Sequence, residues 1–359
     1  MRHILLIGDY PPPYGGLSVQ LAALRDRLAD RGDTDVQVLD IGTLRRERRS
    51  GCLPARHPLG FAATALRHVR RGFVAHLHTN GHNVKSWLLT LVCTSAGLVG
   101  GRRTLVSLGS GKMPEFFLGA RPWLRAAARA ALAAAGGVIV RNERARAALV
   151  AFGVPPEKVV ILPGFYGVSP EEIGRLPHAV EQFKRHHRPL VGAIASPEPV
   201  YGIPLLIDAA ARLRLRHPTL GVVLVGPDEL VDGCPRWALP IGERGRPSLL
   251  AVMRALDVFV RPTYFDGDAS SVREALALGV RVVASETDFR PDGVSRFPCG
   301  DADALAETIE AALARPAIRI DSTSLPALLS IYDRLPLDRA RPAPHAAAVR
   351  GAAGRLEIG

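Results

Sequence analysis

Short, nearly unbroken apolar runs alternate along the chain with longer segments in which apolar positions recur every three or four residues. The first set of runs reads HILLIG (3–8), VQVLDIG (36–42), FVAHLHT (73–79), RTLVSLG (103–109) and GVIVRN (137–142). Each has the look of a strand buried on both faces, while Leu17, Leu21, Leu24 and Leu28 form the stripe of an intervening helix that Gly32 stops. Strand and helix in alternation predict an α/β protein with a parallel sheet. Around residues 163–189 the alternation loosens into a Pro- and Gly-punctuated connector, and then it restarts. PLVGAIA (189–195), a helix over 204–217, GVVLVG (221–226), a helix over 248–256, DVFVRPT (257–263), a helix over 271–278 and RVVAS (281–285) make a second set. The expectation is two doubly wound, Rossmann-like domains, residues 1–165 and 189–320, joined by a connector over 166–188 and facing a cleft at their switch points. A closing helix over 321–335 and a disordered tail, the Arg-, Ala- and Pro-rich residues 336–359, complete the layout.

Chemistry concentrates in RPTYFDGDASSVREALALGVRVVAS, residues 261–285, where an acidic glycine loop lies between a strand and a helix. Ser271 followed by Glu274 reads as a helix N-terminus, and Gly279 as its stop. Backbone N–H groups at Ser270, Ser271 and Val272 would then face the loop and favour an anion such as a diphosphate. Two readings stand side by side for the acids. In one, Glu274 only completes a capping box with Ser271, while Asp266 and Asp268 form a turn; in the other, the carboxylates hold a sugar and a ribose.

Asp266 and Glu274, with seven residues between them, resemble the paired acids of retaining glycosyltransferases of the GT-B fold, family 4, with Asp in place of the first Glu. The whole string from Arg261 to Ser285 resembles the C-terminal half of that family, and LPALLSIYDRLP (325–336) resembles its closing helix. The resemblance implies a sugar moved from a nucleotide-diphosphate donor to a hydroxyl acceptor with retention. Asp266 and Asp268 would lie by the donor sugar, Glu274 by the ribose, and the amides of Ser270 to Val272 by the diphosphate. DYPPPYGGLSVQ resembles the family's N-terminal glycine loop, so Gly15 and Gly16 would allow close approach from the first domain. The nucleobase is expected near residues 238–248. The donor is a substrate; no cofactor and no metal are implied.

Three positions depart from the family pattern. Ala193 stands where an Arg is usual and Tyr201 where a Lys is usual, so both customary diphosphate cations are missing. Gly109 takes the place of a His that follows RTLVSLG. Arg261, Arg273 and Lys112 are the candidate replacement cations, with Arg261 preferred because it ends a strand at the cleft. His76, His78 and His82 sit at or beyond a strand end; His78 is the candidate for a sugar or acceptor contact, and the trio lacks a Cys or acidic partner at zinc-ligand spacing. The departures also support a rival reading, a non-catalytic nucleotide-sugar-binding homologue acting as a partner subunit. A GT-B epimerase or phosphorylase is a related enzyme reading.

Composition narrows the partners. The formal charge of +12 comes almost wholly from Arg, which suits nucleotide sugars or an anionic membrane face. Aromatic residues make up only 6%, the Arg are spread out, and no zinc-finger, KH or RRM signature occurs, so nucleic acid is not an expected partner. No G-x-G-x-x-G fingerprint, Gly-x-Ser-x-Gly elbow or P-loop is present. Four scattered Cys without a CxxC pair suit free thiols in a reducing cytoplasm. The apolar stretch 87–101 falls short of a membrane span and predicts a buried helix. The helical segment 121–137 carries Arg on an Ala-rich face and reads either as a packed helix or as a helix lying on a membrane from inside, as for lipid-linked or other glycan acceptors.

Overall fold

The computed structural model describes residues 1–11, 15–42, 51–54, 57–227, 234–266, 268–287 and 289–335; the tail over 336–359 lies outside the described residues. Two parallel sheets carry the fold. The first holds β1 (Arg2–Gly8), β2 (Thr34–Asp40), β3 (Cys52–Pro54), β4 (Val74–Thr79), β5 (Leu105–Leu108), β6 (Gly137–Val140) and β7 (Val159–Ile161), in the order β3-β2-β1-β4-β5-β6-β7. The second holds β8 (Leu190–Ile194), β9 (Gly221–Val225), β10 (Ala238–Pro240), β11 (Val258–Arg261), β12 (Arg281–Ser285) and β13 (Val294–Phe297), in the order β10-β9-β8-β11-β12-β13. Both orders reverse direction after their first strand, between β1 and β4 and between β8 and β11, which opens a crevice beyond the carboxyl ends of those strands.

The first sheet is covered by α1 (Gly16–Ala29), α2 (Pro58–Arg70), α3 (Val84–Gly100), α4 (Met113–Gly119), α5 (Pro122–Ala134) and α6 (Glu143–Ala151). α7 (His178–His186) lies within the expected connector, so that stretch is partly helical. α8 (Ile203–Leu213), α9 (Arg246–Ala255), α10 (Ser270–Ala277) and α11 (Ala302–Leu313) cover the second sheet, and α12 (Leu325–Arg334) returns to the first domain. β3, β7, β10 and β13 escaped the sequence reading because edge strands this short carry almost no periodic signal.

The cores follow the apolar runs. Ile4, Leu6, Leu21, Leu24, Leu28 and Leu105 pack together with Leu328 and Tyr332 of α12, so the closing helix completes the core of the first domain. Outside this core Arg2 pairs with Asp333. Leu206, Val222, Val260, Val283, Phe297 and Leu305 fill one side of the second sheet. The expectation of a buried helix over 87–101 needs correction. α3 buries Trp87, Thr90 and Cys93, but Val84, Leu88, Leu98 and Val99 are exposed. α5 packs Leu124, Ala128 and Leu132 inward and leaves Trp123 half exposed. No helix among the described residues is long and apolar enough to cross a membrane.

Candidate donor site

Between the two sheets lies a cleft of about 580 Å³, lined from the first domain by Gly15, Gly16, Leu17, Gln20, Gly109 and Ser110, and from the second by Ile194, Tyr201, Arg261, Asp266, Asp268, Ser270, Ser271 and Glu274. Gly15 caps α1 with its own backbone, so the start of that helix forms part of the wall. Leu17 begins the stripe of α1 but stays half-buried in the cleft. It fills the space in front of Gly109, where an added Cβ would fall 2.3 Å from Leu17 Cδ2. At the position where the resemblance predicts a His, the site is walled by a leucine carried on another element.

Each acid has a distinct environment. Asp266 receives Arg261 Nε at 3.0 Å and Arg290 Nη1 at 3.0 Å. Burial alone would raise its pKa, but the two guanidiniums hold it below the usual carboxylate range. Asp268 is almost wholly buried and accepts from Arg273 Nε at 2.8 Å through one oxygen, while the other oxygen, Oδ2, has no partner. Burial pushes its carboxyl up against the pull of Arg273. Glu274 is also buried and pairs with Arg246, the first residue of α9, and burial again outweighs the cation and raises its pKa.

This geometry removes the capping-box reading of Glu274. Helix α10 starts at Ser270 with Ala269 as its N-cap and no side-chain cap, so the capping box between Ser271 and Glu274 is not formed. Glu274 lies beyond the first turn and lines the cleft. Gly279 ends the helix with φ of +73°, as its position predicted. The row of free amides is shorter than expected. Val272 N–H donates to the Ala269 carbonyl at 3.1 Å, and the Val272 side chain is in the core, which leaves Ser270 and Ser271 facing the cleft.

Residues 188–315 match the family model of glycosyl transferases group 1. The matched stretch spans most of the second domain. The chain as a whole has the GT-B fold. It is similar to Anabaena Alr3699/HepE, solved in complex with UDP-glucose, at 18% identity and a TM-score of 0.63, over 92% of this chain and 97% of that one. It is likewise similar to sucrose-phosphate synthase from Thermosynechococcus elongatus, at 18% identity and a TM-score of 0.61, over 92% and 95%. Against the UDP-forming α,α-trehalose-phosphate synthase from Burkholderia xenovorans in complex with glucose-6-phosphate, identity is 14% and the TM-score 0.60, over 92% and 96%. No curated protein matches the sequence.

Within the second domain, Ala193 is buried in the core, and Tyr201 stands on the cleft wall with Arg261 stacked over its ring at 5.1 Å. Arg261 is therefore committed twice, to Asp266 and to Tyr201. Arg273 is committed to Asp268 and to Ser322 Oγ at 2.7 Å. Lys112 is exposed ahead of α4 and is not part of the wall, which corrects its candidacy as a cleft cation.

The expectation for His78 is corrected as well. Its ring is sealed inside the first domain, 4.0 Å from the ring of His76, and neither of its nitrogens has a partner. Burial first, and nearby Arg141 second, lower its pKa to about 3. His76 contacts Tyr332 Oη at 2.6 Å and Ser107 Oγ at 2.8 Å, so this face of β4 anchors the closing helix. Among the described residues no group of His, Cys, Asp or Glu has a metal-binding arrangement.

Three functional candidates were missed. Arg290 is a buried guanidinium that braces Asp266, Thr263 and Ser285. Arg246 holds Glu274 from behind. Gln20, on the far side of the cleft, donates to Ser270 Oγ at 2.8 Å. All three are distant in sequence from the groups they meet, and no spacing rule links them.

Proposed function

We propose that the protein is a glycosyltransferase that moves a hexose from a nucleoside-diphosphate donor to a hydroxyl acceptor with retention. One observation carries this reading: Asp266, Asp268, Glu274 and the start of α10 share one wall of the cleft between the two Rossmann-like sheets, within the segment matched to group 1 glycosyltransferases. The relatives' complexes with UDP-glucose, UDP, and UDP and glucose support a nucleotide-sugar donor. Asp268 Oδ2 is a buried acceptor without a partner, and a sugar hydroxyl would supply one once the loop side chain turns towards the cleft. Glu274 suits the paired hydroxyls of a ribose, with Arg246 fixing its carboxylate.

In the transfer, the anomeric carbon–oxygen bond breaks with its electron pair leaving on the diphosphate. The acceptor oxygen bonds to the same face of the anomeric carbon, and its proton passes to the leaving phosphate. Electrostatic stabilisation of the departing charge supplies most of the rate. Gly15 and Gly16 keep the opposite wall low enough for the donor to lie close to α1.

The test is a thermal-shift and calorimetric panel of UDP, GDP, ADP and their sugar conjugates, followed by proton NMR of the sugar released on slow donor hydrolysis. Binding of one nucleotide family and release of sugar with the donor's anomeric configuration are the expected results. Inverted configuration would overturn retention, and no binding would overturn the donor site.

For the acceptor side we propose a glycan or lipid-linked substrate met at an anionic membrane face. Val84, Leu88, Leu98 and Val99 form an exposed apolar surface on α3, beside Lys85 and the Arg-bearing α5 packed against it. Sedimentation with phosphatidylglycerol vesicles is expected to carry the protein down. Leu88→Glu with Val99→Glu should abolish this, and unchanged binding in that variant would sink the proposal.

A further inference from the structure

Among the described residues, the buried and half-buried guanidiniums at and behind the cleft walls divide into those that have a carboxylate at ion-pair distance and one that has none. Arg261, Arg290, Arg273 and Arg246 each pair with Asp266, Asp268 or Glu274. Arg141 follows β6 at the carboxyl end of the first sheet and is buried, yet no described carboxylate lies within ion-pair distance of it. It donates to the Leu162 carbonyl at 2.9 Å and to Gln20 Oε1 at 3.0 Å, and its Nε has no partner. Asp268 is near enough to feel its charge but makes no ion pair with it, so Arg141 is left only partly compensated, and a buried guanidinium in that state is stabilised by a further anion nearby. Arg244, which lines the cleft and has no carboxylate partner among the described residues, is exposed and donates to the Glu243 carbonyl.

The bonds of Arg141 have a direction. A guanidinium only donates, so the Gln20 oxygen must face it and the Gln20 amide NH2 must face the cleft. There Nε2 donates to Ser270 Oγ at 2.8 Å, which leaves the Ser270 hydroxyl hydrogen free to point onward, at the start of α10. The order is cation, amide, hydroxyl, with every donor aimed towards the same point, and such chains polarise cooperatively. Gly164 keeps the amide in place: a Cβ there would fall 2.2 Å from Gln20 Oε1.

We propose that Arg141, Gln20 and Ser270 form a relay from the first domain that holds the diphosphate of the donor, replacing the cations that Ala193 and Tyr201 do not supply. Ser270 touches the phosphate; Arg141 and Gln20 are positioning residues that act through it. The relay also crosses from one domain to the other, so the diphosphate is gripped only when the two domains stand as they do here. The proposal rests on the donor reading given above.

The experiment titrates the native protein, Gln20→Glu and Gly164→Ala with inorganic pyrophosphate, with UDP, GDP and ADP, and with uridine, guanosine and adenosine. Gln20→Glu removes the amide donor and neutralises Arg141; Gly164→Ala displaces the amide without altering charge. Both are expected to weaken pyrophosphate and the bound nucleoside diphosphate at least about tenfold. The matching nucleoside should bind with unchanged affinity, and the unfolding midpoint should stay within a few degrees. Equal losses for nucleoside and diphosphate, or none for either, would overturn the relay while the donor reading stands. Failure of pyrophosphate to displace the nucleotide from the native protein would also overturn it. If no nucleoside diphosphate binds the native protein, both the relay and the donor reading fail.

Discussion

Replacing Glu274 by Gln is expected to weaken nucleoside-diphosphate binding about a hundredfold, because two charge-assisted hydrogen bonds to a ribose each lose most of about 1.5–3 kcal/mol. The same substitution breaks the ion pair with Arg246 but leaves an amide oxygen that can still accept from it. Glu274→Ala is the harsher variant. It strands a guanidinium that is mostly buried, with Gly167 O at 3.4 Å and Glu172 at 3.9 Å as its remaining contacts. That variant is expected to lose about 3–5 kcal/mol of stability as well as binding. Calorimetry on Glu274→Gln, alongside urea unfolding of both variants, separates the two effects. Nucleotide affinity retained in a folded Glu274→Gln protein would remove Glu274 from the site.

The second large effect concerns the paired histidines inside the first domain. In the unfolded chain His78 titrates near its ordinary value, whereas in the folded protein burial and Arg141 lower it to about 3. Above the ordinary value both states are neutral and the residue contributes no pH dependence. Below it, the unfolded chain takes up a proton that the folded chain refuses, so stability falls as pH falls, until the folded value is reached. The slope is about 1.4 kcal/mol per pH unit for one such residue. His76, lowered mainly by burial, acts in the same direction. Urea midpoints measured from pH 7 down to pH 5 are expected to drop, and His78→Leu should lower the slope by about one proton. An unchanged slope in that variant would show that His78 is not the acid-labile group.

Much of the architecture was legible in the chain because buried parallel strands are written as contiguous apolar runs. Ile4 to Ile7, Val222 to Val225 and Val258 to Val260 are all buried, and each stood out without reference to any neighbour. The acidic loop was legible for a related reason: Asp266, Asp268 and Glu274 lie within one strand–loop–helix unit, so local chemistry brings them together. Local pattern misled where a tertiary contact competed. The Ser271 and Glu274 spacing is that of a capping box, yet Arg246 on α9 takes the carboxylate and the N-cap of α10 is Ala269, two residues before Ser271. His78 ends a strand and so looked accessible, but β4 is flanked by β5 within the sheet and the closing helix lies against the face that carries His76 and His78.

The order of apolar runs was thus enough to establish two Rossmann-like units and to point at the acids between them, since both depend on contacts within a few tens of residues. Which cation meets which acid was decided only by the folded arrangement. Arg290 reaches Asp266 around the end of β12, Arg246 comes from a different helix, and the Arg141–Gln20–Ser270 chain spans the two domains. Charge partners follow the geometry of the folded cleft, where desolvation makes every unpaired charge expensive, and a sequence carries no periodicity that records such pairings.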